Sequence, residues 1–137
     1  MTAEDAVNQL HPYGKRDWEH TMAAAAEIAE LVRYLNRATL DGPAAAIPDP
    51  STAASVIDSL RTALVRLPQL LDQLGSRMTA FRDHPNLATS AIGGDPRVLA
   101  ERAADELGCE STARLVAALG AAFQAADQLY LNDSQES

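Results

Sequence analysis

Apolar and polar positions alternate along this chain with the period of an α-helix over four segments. The first segment spans residues 15–40, where apolar side chains recur three and four residues apart and charged side chains occupy the opposite face. The sequence Asp41, Gly42 and Pro43 follows it and predicts its end, because glycine and proline do not continue a helix. The pattern predicts an amphipathic helix whose wide apolar face consists mostly of small residues.

The second segment carries the most regular pattern. Asp49 followed by Pro50 is typical of a helix start, because aspartate caps free backbone N–H groups and proline fits the first helical turn. Apolar residues then recur every seven positions, at Ala53, Leu60, Leu67, Leu74 and Phe81. Between them lie the pairs Val56 or Ile57, Ala63 or Leu64, and Leu70 or Leu71. We expect one long helix over residues 50–83, bent at Pro68, with an earlier end at Gly75 as the alternative.

Two further helices are predicted in the last third of the chain. The third spans residues 96–107, because Asp95 and the following proline repeat the start signal and Gly108 closes the helix. The fourth spans residues 112–131, with the hydroxyl of Ser111 or of the next residue as its cap.

Composition supports an all-α fold. The 137 residues include 27 Ala and 17 Leu against 6 Val and 4 Ile, and an excess of helix formers disfavours a sheet. The expected architecture is an antiparallel helical bundle of three long helices plus one shorter helix. We expect residues 1–14 to form an N-terminal extension, residues 15–131 a single helical-bundle domain, and residues 132–137 a flexible polar tail.

The fourth helix is apolar around most of its circumference. A stripe of Val116, Phe123 and Tyr130 lies beside a second stripe of Leu and Ala, and Gly120 allows a neighbouring helix to approach closely. Such a helix is either surrounded within its own chain or in contact with another chain. Because each helix of a small bundle usually keeps one face in water, we expect a homodimer, or a heterodimer, through these four residues.

The charge of the chain disfavours unaided binding to nucleic acid or to anionic lipid. Nineteen acidic residues outnumber 11 basic ones, and the net charge of −8 is concentrated in residues 95–137. The excess of Arg over Lys and of Ala is typical of a GC-rich, bacterial genome. No apolar run approaches the ~20 residues that span a bilayer, the N-terminus lacks a secretory signal, and the single Cys109 forms no internal disulfide. We therefore expect a cytoplasmic protein.

No constellation of residues predicts catalysis. The candidate nucleophiles and bases are His11, His20, His84 and Cys109, and none lies in a motif that positions a partner. A metal site would need several inward carboxylates and histidines, whereas His20 lies three residues from Asp17 and seven from Glu27 on the polar face of the first helix. We interpret these as solvated surface groups and expect no enzyme activity, cofactor, metal or small-molecule ligand.

Residues 97–119 have the spacing of a helix–turn–helix, with Gly108 in the turn. A recognition helix needs donors for bases and phosphates, yet only Ser111, Thr112 and Arg114 provide them, beside acidic residues. A plain helical hairpin is the better interpretation. The favoured function is therefore protein–protein interaction or regulation. The alternatives are a small DNA-associated regulator and an enzyme or cofactor-binding bundle whose site is assembled from scattered residues.

Overall fold

A computed structural model of the chain describes residues 1–40, 45–108 and 112–132. All regular secondary structure in these residues is helical, which confirms the all-α class. The helices are α1 (Ala3–Leu10), α2 (Trp18–Ala38), α3 (Pro50–Arg82), α4 (Pro96–Leu107) and α5 (Thr112–Ala126). None of these described helices is long and apolar enough to cross a lipid bilayer. The chain divides into two units, Met1–Pro48 and Asp49–Ser137.

The first unit contains α1 and α2. The sequence analysis did not predict α1, although its start signal is local. The Thr2 hydroxyl accepts a hydrogen bond from the Asp5 backbone N–H at 3.1 Å, and the Asp5 carboxylate accepts from the Thr2 N–H at 3.0 Å. This capping box satisfies two backbone donors that a helix start leaves free. The two helices do not pack directly against each other.

The beginning of α2 is set by Asp17. Its carboxylate accepts a hydrogen bond from the His20 backbone N–H at 2.8 Å, so the helix begins at Trp18, three residues later than predicted. The residues predicted to end this helix, Asp41–Pro43, lie outside the described residues.

The second unit is built on α3, which is one continuous helix of 33 residues. The Asp49 carboxylate caps it by accepting from the Thr52 N–H at 2.7 Å. The helix continues through Pro68 and Gly75, so the alternative end at Gly75 is wrong. The bend expected at Pro68 stays a prediction.

The helices α4 and α5 lie along different halves of α3 and run antiparallel to it. The Arg82 guanidinium, at the end of α3, donates to the Glu101 carboxylate of α4 at 3.1 Å. Gly75 lies against the last turn of α4, and the Arg61 side chain of α3 lies against Gly120 of α5. The antiparallel arrangement expected of a bundle is therefore present among these three helices.

The end of α5 differs from its prediction, because the helix stops at Ala126 rather than near residue 131. The Gln128 side-chain amide donates to the Gln124 carbonyl at 3.0 Å, and this is the carbonyl that the Gln128 backbone N–H would use in a continuing helix. That N–H bonds instead to the Ala125 carbonyl at 3.3 Å, which makes a tighter final turn. The predicted Ser111 cap, Cys109 and the tail over residues 133–137 lie outside the described residues.

Few side chains of this fold are buried. Among the residues that the structure describes, only Ala54, Gly75 and Ala100 are buried, and all three are small. The large apolar side chains that a closed core would cover are half-buried or exposed. The contact between α3 and its two neighbours therefore leaves apolar surface in water.

Candidate interaction surface

The apolar residues of α3 form two neighbouring rows. We call the first the inner row; it consists of the half-buried residues Ile57, Leu64, Leu71 and Met78, which lie seven positions apart. Leu64 and Leu71 line a groove of about 670 Å³ together with Leu107 of α4 and Val116 of α5. The inner row is therefore the face of α3 that packs on its neighbours.

The second row is the outer seam, which we define as Leu60, Leu67, Leu70, Leu74 and Phe81. It contains the heptad positions that the sequence analysis identified. Helix geometry turns Leu60, Leu67, Leu74 and Phe81 about 40–60° from the inner row, and Leu70 about 100–120° from it. Leu60, Leu74 and Phe81 are 38%, 45% and 40% exposed, although such side chains are among those most often found in cores. The seam is about 30 Å long at 1.5 Å per residue. Four of its five residues are exposed, and Leu67 is half-buried.

The charged residues of α3 and its caps are balanced. Four Arg and four Asp occur from position 49 to position 83, so this segment has no net charge. The Arg61 guanidinium donates to the Asp58 carboxylate at 2.6 Å, and the Arg77 guanidinium lies over the Phe81 ring at 4.9 Å from its centroid. Arg77 follows Leu70 by seven positions, so it continues the seam at its C-terminal end.

At the C-terminal end of α3, an ion pair joins this helix to α4. Hydrogen bonds to the Asp83 carboxylate and then to Glu101 raise the pKa of the Arg82 guanidinium, so Arg82 stays positively charged. Arg82 thereby forms an ion pair with Glu101 of α4. This pairing lies beside the seam and leaves it open.

Of the four residues predicted to form an interface, Val116, Gly120 and Phe123 lie on the side of α5 that meets α3, and Tyr130 lies apart from them. Val116 is half-buried in the groove, and a side chain at Gly120 would meet the Arg61 Cδ atom at 3.7 Å. The Phe123 ring centroid lies 6.0 Å from the Cζ atom of the Arg61 guanidinium. Tyr130 lies beyond the end of α5 and is 80% exposed. Three of the four therefore take part in packing against α3. Self-association through them stays a prediction.

The geometry of the last two helices differs from a helix–turn–helix. In that motif the two helices pack on each other at a wide angle, whereas α4 and α5 each pack on α3 and not on one another. The described residues of the 97–119 segment thus belong to two helices that each pack on the longer helix α3.

The candidate catalytic residues lie apart, with one exception. His84 accepts a hydrogen bond from the Asn86 backbone N–H at 3.1 Å within a loop, and Cys109 lies outside the described residues. His11, however, contacts both His20 and Glu27. The sequence analysis missed this cluster, because His11 lies outside α2 and helical spacing does not relate it to that helix. Within the described part of the chain, no three His, Cys, Asp or Glu side chains form a group that could hold a metal ion.

Comparison with known proteins adds no functional information. No protein-family model, curated protein or solved structure matches the chain.

Proposed function

We propose that this chain is a protein–protein interaction module, and that it pairs with a second copy of itself through the outer seam of α3. The observation that carries the proposal is a heptad row of large apolar side chains along one continuous helix, in which Leu60, Leu74 and Phe81 are exposed and Leu67 is half-buried. Heptad repeats of this kind are the surfaces by which helices pair, because each apolar side chain inserts between four residues of the facing helix. An apolar strip of this length is otherwise an aggregation hazard.

The accessible surface supports the need for a partner. The chain exposes 11053 Å², whereas two separate compact units of its two lengths would together expose only about 8,300 Å². A stable interface removes about 800 Å² from each partner. The exposed side chains of the outer seam contribute to this excess of surface.

The charge distribution favours a second copy as the partner. The segment from Asp49 to Asp83 has no net charge, so two copies of α3 meet without net repulsion. A strongly acidic or basic partner would gain no long-range attraction to this face. Two-fold pairing also uses the same surface on both copies, which is the commonest symmetry of small oligomers.

The order of residues along the seam favours an antiparallel pair. With the two-fold axis beside Pro68, Leu74 faces Ala63 of the second copy and Phe81 faces Val56, so these two large side chains each meet a smaller one. In the same register Leu67 faces Leu70, and Arg77 faces Leu60 rather than a second Arg77. In a parallel pair every residue meets itself, and Arg77 would face a second Arg77. Like charges in such direct opposition destabilise a helix pair.

The test is the mass of the protein in solution, measured by light scattering at 10–100 micromolar with Leu74→Asp as the seam variant. The matched control is Leu115→Asp, because Leu115 is an equally exposed leucine on α5 outside the seam. We expect wild type and control to have twice the 14.6 kDa chain mass. We expect the seam variant to dissociate at least about 100-fold more readily with unchanged helix content, because each dimer would bury two carboxylates. A monomeric wild type, or a seam variant as dimeric as its control, would refute the proposal.

Orientation is tested by disulfide formation in a Cys109→Ser background. An antiparallel pair cross-links a mixture of Ala63→Cys and Leu74→Cys chains, whereas either variant alone stays uncross-linked. Cross-linking of each variant with itself would show a parallel pair.

A further inference from the structure

A cluster of three titratable side chains connects two parts of the first unit. The His11 Nε2 atom lies 2.6 Å from the Glu27 Oε2 atom, and the His11 Nδ1 atom lies 3.0 Å from the His20 Nδ1 atom. The two imidazole rings are nearly perpendicular, at 86°, with centroids 5.3 Å apart. The His11 side chain is only 15% exposed and that of Glu27 is 45% exposed. His11 therefore contacts two side chains of α2, those of His20 and Glu27, which lie seven positions apart.

The hydrogen-bond chemistry of the cluster assigns its protons. An ionised Glu27 carboxylate only accepts, so the His11 Nε2 atom carries a hydrogen and donates it. In neutral His11 the Nδ1 atom is then an acceptor, and His20 must donate from its own Nδ1 atom. In this state His20 donates to His11 and His11 donates to Glu27, so both close contacts are hydrogen bonds.

The cluster accepts one additional proton but not two. When His11 is protonated, it donates from both ring nitrogens, and His20 becomes the acceptor by changing its tautomer. When both rings are protonated, two N–H donors face each other at 3.0 Å and two positive charges lie side by side. No acceptor remains between the rings, so the contact between them is lost.

The charged groups around the cluster do not relieve this conflict. Glu27 is already bonded to His11. The Asp17 carboxylate at the start of α2 accepts from the His20 backbone N–H, and Asp5 of α1 is bonded to Thr2. Asp17 and Asp5 are engaged in capping and Glu27 is bonded to His11, so none of these carboxylates bridges the two rings.

His11 also makes all the hydrogen bonds and ion pairs that join residues 1–16 to the body of α2, among the residues that the structure describes. The helix α1 does not pack on α2, and its large side chains Val7 and Leu10 are exposed. The polar attachment of the N-terminal segment to α2 thus depends on the His11 side chain.

We propose that His11, His20 and Glu27 form a proton-controlled clasp, which holds the N-terminal segment against α2 and releases it when both histidines are protonated. The clasp is closed in the neutral and singly protonated states and opens when falling pH adds the second proton, because two N–H donors then face each other. Release frees α1, an amphipathic helix of eight residues. This clasp is independent of the outer seam.

The test uses the full chain and backbone ¹⁵N relaxation of residues 3–14 at pH 7.5 and pH 5.0. In wild type we expect order parameters near 0.85 at pH 7.5 and below about 0.6 at pH 5.0. In His20→Asn we expect about 0.85 at both values, because an amide either donates to neutral His11 or accepts from protonated His11, and it never becomes charged. In His11→Ala the segment should be mobile at both values.

His84→Ala is the matched control, because it removes the one histidine outside the cluster, and it should behave as wild type. Equal order in wild type at both pH values would overturn the clasp. So would release of His20→Asn at pH 5.0, or an ordered segment in His11→Ala.

Discussion

Substitution of Gly75 measures how closely α3 and α4 approach each other. Gly75 is buried, and a Cβ atom there would lie 3.5 Å from the Ala104 carbonyl oxygen and 3.8 Å from the Leu107 Cβ atom. These are ordinary van der Waals distances, so alanine fits without displacement. Alanine is favoured over glycine inside a helix by about 1 kcal/mol. We therefore expect Gly75→Ala to raise the free energy of unfolding by about 1 kcal/mol.

A larger side chain at the same position should have the opposite effect. The carbons of Gly75→Leu beyond Cβ extend toward the α4 backbone, and forcing such groups into a closed contact costs about 1–3 kcal/mol. The matched control is Gly120→Leu, because a Cβ there would meet only the Arg61 Cδ atom at 3.7 Å, on a side chain that is able to turn away. We expect Gly75→Leu to be about 1–3 kcal/mol less stable than Gly120→Leu.

Urea denaturation followed by circular dichroism at 222 nm gives these free energies. All variants must be compared at one protomer concentration, because self-association adds a concentration-dependent contribution to stability. A Gly75→Ala variant less stable than wild type would refute the packing distances. Equal stability of the two leucine variants would show that α4 does not constrain this position.

Three further predictions use the same measurement. Leu71→Ala should lower the free energy of unfolding by about 1–2 kcal/mol, because Leu71 is half-buried in the groove, whereas a fully buried leucine would cost roughly 2–5 kcal/mol. A neutral result would contradict the assignment of the inner row. Phe123→Ala should destabilise the fold by about 1–3 kcal/mol while leaving the mass in light scattering unchanged, and a monomeric variant would instead support the interface first predicted on α5. The Thr52 N–H lowers the pKa of the Asp49 carboxyl, so this cap stabilises the fold above about pH 4 and is lost as pH falls below that value. Wild type and Asp49→Asn should therefore converge in stability as pH falls below about 4, and a difference that grew on acidification would contradict the cap.

Local signals in the sequence were sufficient to predict most of the helices. Asp49 with Pro50, and Asp95 with the proline that follows it, each mark a helix start that the structure contains. Such signals are complete within three or four residues, because a cap satisfies donors of the adjacent turn. The capping box of Thr2 and Asp5 is a signal of the same kind, and α1 was missed only because its short segment was interpreted as an extension.

Only the tertiary structure shows which face of α3 packs on its neighbours. The sequence left Ala63 or Leu64, and Leu70 or Leu71, as equivalent choices, because both members of each pair are apolar although they lie about 100° apart on the helix. Contact with α4 and α5 selects the row of Leu64 and Leu71 and leaves Leu70 exposed. Periodicity reports that a helix has an apolar face, but the partner that covers this face is distant in sequence, and its position follows from packing.

The same limit explains the missed histidine cluster. His11 and Glu27 are separated by sixteen positions and a turn, so no helical spacing relates them. Their contact exists because the chain reverses between α1 and α2 and brings the His11 ring onto the polar face of α2. Sequence determines the local hydrogen bonds that start a helix, whereas contacts between side chains on different segments depend on where the intervening backbone places them.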